Sequence, residues 1–288
     1  MVYAKNRMGW MLAALLAAGA LLTETVPTMR DTAIVRGAQL TLTTAQSTVT
    51  LLYHAVEPAS DAADAKEQLA AATGTGETLA RAYADAERHL PGRAVYQLCD
   101  TLLLTGEESL SHLDAVIQQT AQEEKGWLAA RLLYAQQTPA PEEDTASALY
   151  EDLQRVSRYA PCLYQAAHPQ VLVPVVNFKS AQPQQAVLVT AQQDCILLDG
   201  PEAQLYRALQ KGYGRMILDG PDRQQVVDLV VSRRGKGNEV IQDVHAFVHG
   251  TLKKVPPKTA QEIAALRQKL EYQLRGLKCR TLQRDCSQ

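Results

Sequence analysis

The stretch that decides the fold class runs from Ala186 to Glu202 and reads AVLVTAQQDCILLDGPE. Its two short apolar runs, Ala186–Thr190 and Cys195–Leu198, flank a polar segment, which predicts two strands joined by a turn. The Gly-Pro pair that follows predicts the start of a helix over about Glu202–Lys211. Strand and helix thus occur side by side within one short segment.

The same mixture continues along the chain, without the regular alternation that is typical of a parallel βαβ sheet. Ala33–Leu40 and Thr48–Val56 predict a hairpin, whereas Glu57–Ala72 is acidic and Ala-rich and predicts a solvated loop or short helix. Thr73–Gly76 predicts a chain break before the next helix. The other predicted strands are Val95–Leu104, Leu128–Tyr134, Val171–Phe178, Val226–Ser232 and Val240–Leu252, and the helices are Glu77–His89, Leu110–Gln122, Ala146–Tyr159 and Thr259–Leu282. We therefore expect an α+β fold.

Two segments predict domain boundaries. Thr138–Asp144 contains two prolines and an acidic run, and Asp219–Pro221 contains the sequence Asp-Gly-Pro. We expect about three small mixed α/β-sheet domains in tandem after an N-terminal leader. The predicted ranges are 1–28 for the leader, 29–137 and 138–221 for the first two domains, and 222–288 for a shortened third domain with a long terminal helix.

The leader is predicted from charge and hydropathy. Lys5 and Arg7 precede the uncharged run Met8–Thr23, a pattern typical of a secretory signal or a membrane anchor. The run falls short of the roughly 20 apolar residues that span a bilayer comfortably. Ala18–Ala20 offers a small-residue cleavage site. We expect export or anchoring, with cleavage left open; a buried N-terminal helix of a cytosolic protein is the alternative.

Composition excludes some partners and leaves others open. The formal net charge is -2 and the pI is about 6.3, so nucleic acid is not an expected partner. The one dense basic cluster, Arg233–Gly237, contains glycines and predicts a solvated hairpin turn. Aromatic residues make up 5% of the chain, which is little for an aromatic-lined ligand pocket.

The five cysteines form no CxxC motif, so the sequence supports neither a zinc knuckle nor a thioredoxin-type redox pair. Cys279 and Cys286 lie seven positions apart on a predicted helix, about 10 Å along its axis, which exceeds the roughly 7 Å between Cα atoms that a disulfide tolerates. We expect most cysteines to be small apolar side chains in packed positions. One disulfide stays open as an alternative.

Three patterns resemble chemical sites, and each has a structural interpretation. His245 and His249 have the spacing of helical metal ligands, but the surrounding alternation predicts a strand, where they lie about 13 Å apart at roughly 3.3 Å per residue. Gly74-Thr75-Gly76 resembles a phosphate cradle, but no Gly-Lys-Ser/Thr follows, and a tight turn with a Thr N-cap is favoured. Glu142–Asp144 lies in the proline linker and is expected to be solvated. We therefore predict no catalytic, cofactor-binding or metal-binding residue.

Several segments, taken in order, resemble one known family. An Arg-led strand ends near a glycine at Arg30–Gly37, and a second strand ends at a proline at Val49–Pro58. Gly74–Leu79 has the form Gly-x-Gly-x-Thr-Leu before a helix that ends in Leu-Pro-Gly-Arg at Leu90–Arg93. A strand–helix–strand set follows, and the stretch from Ala186 to Glu202 has the form of a hairpin, Leu-Asp and a Glu-led helix.

This order resembles the Ger(x)C family, the C subunit of spore germinant receptors. Asp228–Arg233 and Val244–Leu252 resemble the strands of the family's third domain, and the chain ends after one long helix. The family's leader is followed by a lipid-carrying cysteine, whereas Thr23 and Glu24 stand there in this chain. We therefore predict no acylation at the leader.

The resemblance implies a non-enzymatic, membrane-associated subunit that acts in nutrient-triggered germination beside integral membrane A and B subunits. It implies a location on the outer face of the spore inner membrane, reached through the N-terminal segment, and no cofactor. An exported solute-binding module, or an enzyme of unknown chemistry at the cell envelope, is the alternative. Neighbouring genes for multi-spanning membrane proteins would favour the receptor subunit, and a deep pocket with converging polar groups would favour the alternative.

Overall fold

Two sheets carry the fold in the computed structural model, which describes residues 32–54, 69–123, 128–137, 145–167, 170–177, 185–190, 194–219, 224–236 and 239–285. One is a large mixed sheet and the other a small antiparallel sheet, so the predicted α+β class is confirmed. The strands are β1 (Thr32–Leu42), β2 (Ser47–His54), β3 (Leu69–Gly76), β4 (Arg93–Val95), β5 (Thr101–Thr105), β6 (Arg131–Ala135), β7 (Gln170–Val175), β8 (Gln185–Thr190), β9 (Cys195–Asp199), β10 (Tyr213–Asp219), β11 (Gln224–Lys236) and β12 (Glu239–Val248). The helices are α1 (Leu79–Arg88), α2 (Leu113–Glu123), α3 (Ala146–Ser157), α4 (Gly200–Lys211) and α5 (Pro257–Asp285).

The large sheet has the order β3-β2-β1-β5-β6-β7-β8-β9, with β4 beside β1. Its central strands β1, β5, β6 and β7 are parallel, whereas both flanks are antiparallel. Helix α2 connects β5 to β6 and α3 connects β6 to β7, so the middle of the chain contains βαβ units. The expectation that the chain lacks parallel βαβ structure is therefore wrong for this part.

Both faces of the central strands are buried, which explains their unbroken apolar sequence. On β5, Leu102 and Leu104 pack in the cluster that includes α1 and α2, and Leu103 packs in the cluster that includes α3. Leu132 and Leu133 on β6 divide between the same two clusters. Helices thus cover the sheet on both faces.

Strand β3 corrects the prediction for residues 69–76. Gly74 and Gly76 belong to this edge strand rather than to a chain break, and Leu69–Ala72 is neither a loop nor a helix. A Cβ on Gly74 would lie 2.0 Å from the Ala86 backbone nitrogen, and one on Gly76 would lie 2.6 Å from that of Ala82. The glycines therefore allow α1 to pack directly on β3, and their turn-like composition hid the strand.

The predicted strand Val95–Leu104 is also corrected, because the structure divides it between β4 and β5. The Cys99 N–H donates to the Tyr96 carbonyl at 2.9 Å, which closes a turn between the two strands. Both strands still pair with β1 in parallel. The predicted hairpin at residues 33–56 is confirmed by the antiparallel β1–β2 pair, as far as His54.

The small sheet has the order β10-β11-β12 and packs against α4 and α5 through one apolar cluster. Arg233–Lys236 forms the end of β11 and pairs antiparallel with β12, so the predicted hairpin is present, but these residues are strand rather than turn. Gly237 lies outside the described residues. The predicted helix Thr259–Leu282 is confirmed by α5, and the helix Ala146–Tyr159 by α3.

Each predicted domain boundary lies between two strands that pair with each other, and the division into domains stays a prediction. The β6–β7 pair continues the large sheet past residue 138, and β10, which precedes residue 222, pairs with β11, which follows it. The leader 1–28 and the linker residues Thr138–Asp144 lie outside the described residues.

Candidate functional site

A cavity of about 540 Å³ lies between α4 and β10. One wall is a single face of α4, because its lining residues recur at helical spacing. The opposite wall is β10 from Tyr213 to Ile217, and residues from other parts of the chain complete the lining. The full set is Tyr159, Gln185, Ala186, Gly200, Ala203, Gln204, Arg207, Lys211, Tyr213, Gly214, Arg215, Ile217, Val226 and His249.

The helical wall is fixed at both ends by its sequence. Asp199 and Glu202 form a capping box, in which the Asp199 N–H donates to Glu202 Oε2 at 3.2 Å. Gly212 ends the helix with a φ of 87°, and its N–H donates to the Ala208 carbonyl at 2.8 Å. The predicted Gly-Pro entry to this helix is confirmed.

Helix α4 and β10 approach each other closely at one point. A Cβ on Gly214 would lie 2.7 Å from the Ala208 Cβ, so only glycine fits there without movement. Strand β10 is the edge of the small sheet, and its Ile217 N–H donates to Gln204 Oε1 at 2.7 Å. A side chain of α4 thus takes the place of a neighbouring strand.

The cavity is lined by positive charge. Arg207 and Lys211 lie four residues apart on α4, Arg215 lies on β10, and His249 follows β12. No aspartate or glutamate is among the described lining residues. The lining therefore offers hydrogen-bond donors and cations, inside a chain whose net charge is -2.

Arg207 is the most enclosed of these cations. Its Nη2 donates to the Tyr159 carbonyl at 3.3 Å, and burial lowers the pKa of its guanidinium. A guanidinium has five N–H donors, and among the described residues Arg207 has this one hydrogen-bond partner. The remaining N–H groups of Arg207 can therefore donate to a ligand in the cavity or to water.

Asp228 is not itself a lining residue, but it contacts two lining side chains. Its carboxylate contacts His249 Nδ1 at 2.9 Å, and it accepts from Arg215 Nε at 3.3 Å and from the Gly250 N–H at 3.1 Å. The hydrogen bond with His249 is the main cause that lowers the pKa of Asp228. Asp228 therefore positions two of the lining side chains, those of Arg215 and His249.

The two histidines contact different residues of the small sheet. His245 lies on β12 and its Nε2 is 3.1 Å from Ser232 Oγ, whereas His249 contacts Asp228. The Ser232–His245 pair was not predicted, and it lies on an exposed face of the small sheet. Across the described residues, no group of three or more His, Cys, Asp or Glu side chains is arranged to hold a metal ion.

The other predicted features have structural roles or lie outside the described part. Gly74 and Gly76 pack under α1, and the N-cap is Thr78, which accepts from the Arg81 N–H at 3.3 Å. Cys99 and Cys162 are buried thiols, as predicted, and burial raises the pKa of Cys99 to about 12. Cys195 is exposed, contrary to the packed position expected for most cysteines. The acidic group Glu142–Asp144 and the side chains of Cys279 and Cys286 are outside the described residues.

A second polar cluster joins β1, β5 and α3. Asp100 accepts from Tyr150 Oη at 2.8 Å, from Gln154 Nε2 at 2.8 Å and from Arg36 Nη2 at 3.4 Å. Burial, followed by the hydrogen bond to Asp100, raises the pKa of Tyr150 to about 12. This cluster fixes α3 on the sheet.

Sequence reasoning missed the cavity because its cations come from separate elements. The only local signal was the pair Arg207 and Lys211 on one helical face, which is common on solvated helices. Arg215 and His249 join them only through the β10–β11–β12 pairing.

No described helix is both long and apolar enough to cross a membrane. No protein-family model matches the chain, and no curated protein sequence is significantly similar to it. The candidate site therefore rests on the residues and geometry of the chain itself.

Proposed function

We propose that the chain is a non-enzymatic, membrane-associated subunit of a spore germinant receptor, acting in nutrient-triggered germination beside integral membrane A and B subunits. The observation that carries this proposal is that the segments resembling the Ger(x)C family form strand and helix units of the fold, in chain order. They correspond to the β1–β2 hairpin, the β3–α1 unit, the β5–α2–β6 unit and the β8–β9–α4 unit.

The residues that carry the resemblance also have clear physical roles. Gly74 and Gly76 lie where a larger side chain would collide with α1, and Thr78 caps that helix. Asp199 and Glu202 form the capping box of α4. Matching residues at such demanding positions support a shared fold more strongly than matches at exposed positions do.

The proposal includes the three-domain division after the leader and a location on the outer face of the spore inner membrane. The leader 1–28 would keep the folded part in the plane of the membrane and so raise its effective concentration near the A and B subunits. Because Thr23 and Glu24 replace the expected cysteine, this attachment would not use a lipid on the leader.

The test is deletion of the gene in its spore-forming host, in a strain without related C subunits. We expect loss of nutrient-triggered germination and recovery when the full chain is restored. Restoration with Gly74→Ala should fail, whereas restoration with the matched control Gly37→Ala should succeed. Unchanged germination after deletion would contradict the proposal, as would failure of the chain to co-purify with any multi-spanning membrane subunit.

The second candidate function is an exported solute-binding module, or an enzyme of unknown chemistry, at the cell envelope. The cavity between α4 and β10 favours it, because charged and amide side chains converge there. This candidate predicts that deletion leaves germination unchanged and that the purified chain binds a small molecule. The two functions are therefore distinguishable in the same deletion strain.

A further inference from the structure

We propose that the cavity between α4 and β10 binds a small organic dianion, a dicarboxylate or a phosphate monoester. The inference concerns this cavity alone and goes beyond the role in germination. It also gives the ligand class that the solute-binding function requires. Failure of the inference would leave the germination proposal standing, and the reverse is also true.

The first argument is charge. The three permanently charged side chains of the lining, Arg207, Lys211 and Arg215, outnumber by one the two carboxylates that contact lining residues, Asp228 and Asp199. An anionic ligand therefore matches the cavity, and a cationic ligand does not.

The second argument is the burial and hydrogen bonding of Arg207. Its guanidinium is partly buried and donates to one carbonyl oxygen among the described residues. Carboxylate and phosphate oxygens are the acceptors that best match several guanidinium donors at once. Lys211, one turn further along α4, places a second cation on the same wall.

The third argument is the pattern of amides and apolar side chains. Gln204 uses its oxygen to accept from the Ile217 N–H, so its amide NH₂ remains a donor. Ala186, Ala203, Ile217 and Val226 line the cavity between the polar groups. A volume of about 540 Å³ falls in the range of small-molecule sites, roughly 300–1,000 Å³. The cavity thus has room for a carbon skeleton as well as for charged ends.

The experiment is isothermal titration calorimetry on the full chain in mild detergent. The probes are succinate and inorganic phosphate, with succinamide as a neutral analogue of succinate. We expect binding of at least one dianion and at least tenfold weaker binding of succinamide. Preference for succinate would assign the cavity to dicarboxylates, and preference for phosphate would assign it to ligands that carry a phosphate group.

Three variants distinguish binding in this cavity from nonspecific electrostatic attraction between the probe and the protein surface. Arg207→Gln and Lys211→Gln should each weaken binding of the preferred probe at least tenfold. Lys253→Gln removes one exposed cation outside the cavity and should change binding less than twofold. Lys211 is exposed, so its variant remains informative if Arg207→Gln fails to fold, which circular dichroism would show.

Three results would overturn the inference. They are absence of binding by both dianions at millimolar concentration, equal binding of succinate and succinamide, and equal loss of affinity in Lys253→Gln and Lys211→Gln. Each result would show that the cations of the cavity do not select a dianion.

Discussion

Two helices of this protein pack on edge strands through glycines, with opposite results. Helix α1 lies so close to β3 that a Cβ on Gly74 would meet backbone atoms of Ala86, and small apolar residues fill the contact. Helix α4 approaches β10 at Gly214, yet a cavity of about 540 Å³ remains beside that contact. In both contacts, a glycine on the strand leaves room for the helix to approach closely.

The difference lies in the residues next to the glycine contact. On α1 these are Ala82 and Ala86, which are fully buried. On α4 they are Gln204, Arg207 and Lys211, whose long polar side chains cannot be buried at low cost. The interface between α1 and β3 is therefore filled, whereas the interface between α4 and β10 retains a cavity. This cavity is the candidate binding site.

The largest expected effect is that of Gly74→Ala in the closed interface. The added methyl group would collide with helix backbone, which cannot move without displacing α1, so we expect a loss of about 3 kcal/mol in the free energy of unfolding. Gly37→Ala is the matched control, because its nearest contacts would be an ordinary 3.5 Å, and we expect a change within about 1 kcal/mol. Urea denaturation measures both, and equal stabilities would contradict the close packing.

The second prediction compares the N-caps of the two helices. Glu202 is 1% exposed, completes the capping box and lies 2.5 Å from Lys269 Nζ of α5. Glu202→Ala loses both interactions, and we expect a cost of about 2 kcal/mol. Thr78→Ala on α1 loses one exposed cap bond and should cost about 1 kcal/mol.

A third variant separates the two losses at Glu202. Glu202→Gln keeps an acceptor for the Asp199 N–H and removes the charge that faces Lys269, so its stability should fall between that of the parent protein and that of Glu202→Ala. Urea denaturation again gives the values. If Glu202→Gln is as unstable as Glu202→Ala, the ion pair rather than the cap holds the start of α4.

The third prediction tests the glycine of the open interface. Gly214→Ala places its methyl group 2.7 Å from the Ala208 Cβ, and α4 can shift toward the adjacent cavity, so we expect a cost of about 1 kcal/mol. The double variant with Ala208→Gly removes the collision. A double-mutant cycle should therefore give a favourable coupling energy. Additive effects would mean that the two residues do not touch.

The smallest effect concerns Asp228 and pH. The folded state lowers the pKa of Asp228, so its contribution to stability is present above the unfolded value of about 3.9 and is lost as the pH falls through the folded value. Asp228→Asn should therefore be less stable than the parent near pH 6, and the difference should shrink as the pH falls below the unfolded value. Parallel stability curves over this range would contradict the contacts of Asp228 with His249 and Arg215.

Local sequence was sufficient where neighbouring residues in the chain determine the structure. The β1–β2 hairpin, α3 and the Gly200–Pro201 start of α4 were predicted because strand pairing across a short turn and the start of a helix depend on residues close in sequence. Local sequence failed at β3, where Gly74 and Gly76 suggested a turn. Glycine is required at these two positions because α1 packs directly on them. Strand propensity carries no information about that helix.

The parallel centre of the large sheet was missed for a related reason. A continuous apolar run such as Thr101–Thr105 is compatible with any buried strand, and its direction is set by distant partners. The cations of the cavity are likewise polar residues on separate elements, and each alone resembles an ordinary surface residue.

The sequence by itself determined the α+β class, the helix that Gly200 and Pro201 begin, and the two strands within the stretch Ala186–Glu202. These follow from apolar periodicity, turn composition and capping, which act over a few residues. Only the tertiary structure decided that β1, β5, β6 and β7 run parallel and that Arg207, Lys211, Arg215 and His249 surround one cavity. Strand order and the meeting of distant side chains depend on packing between elements, and packing acts over the whole chain.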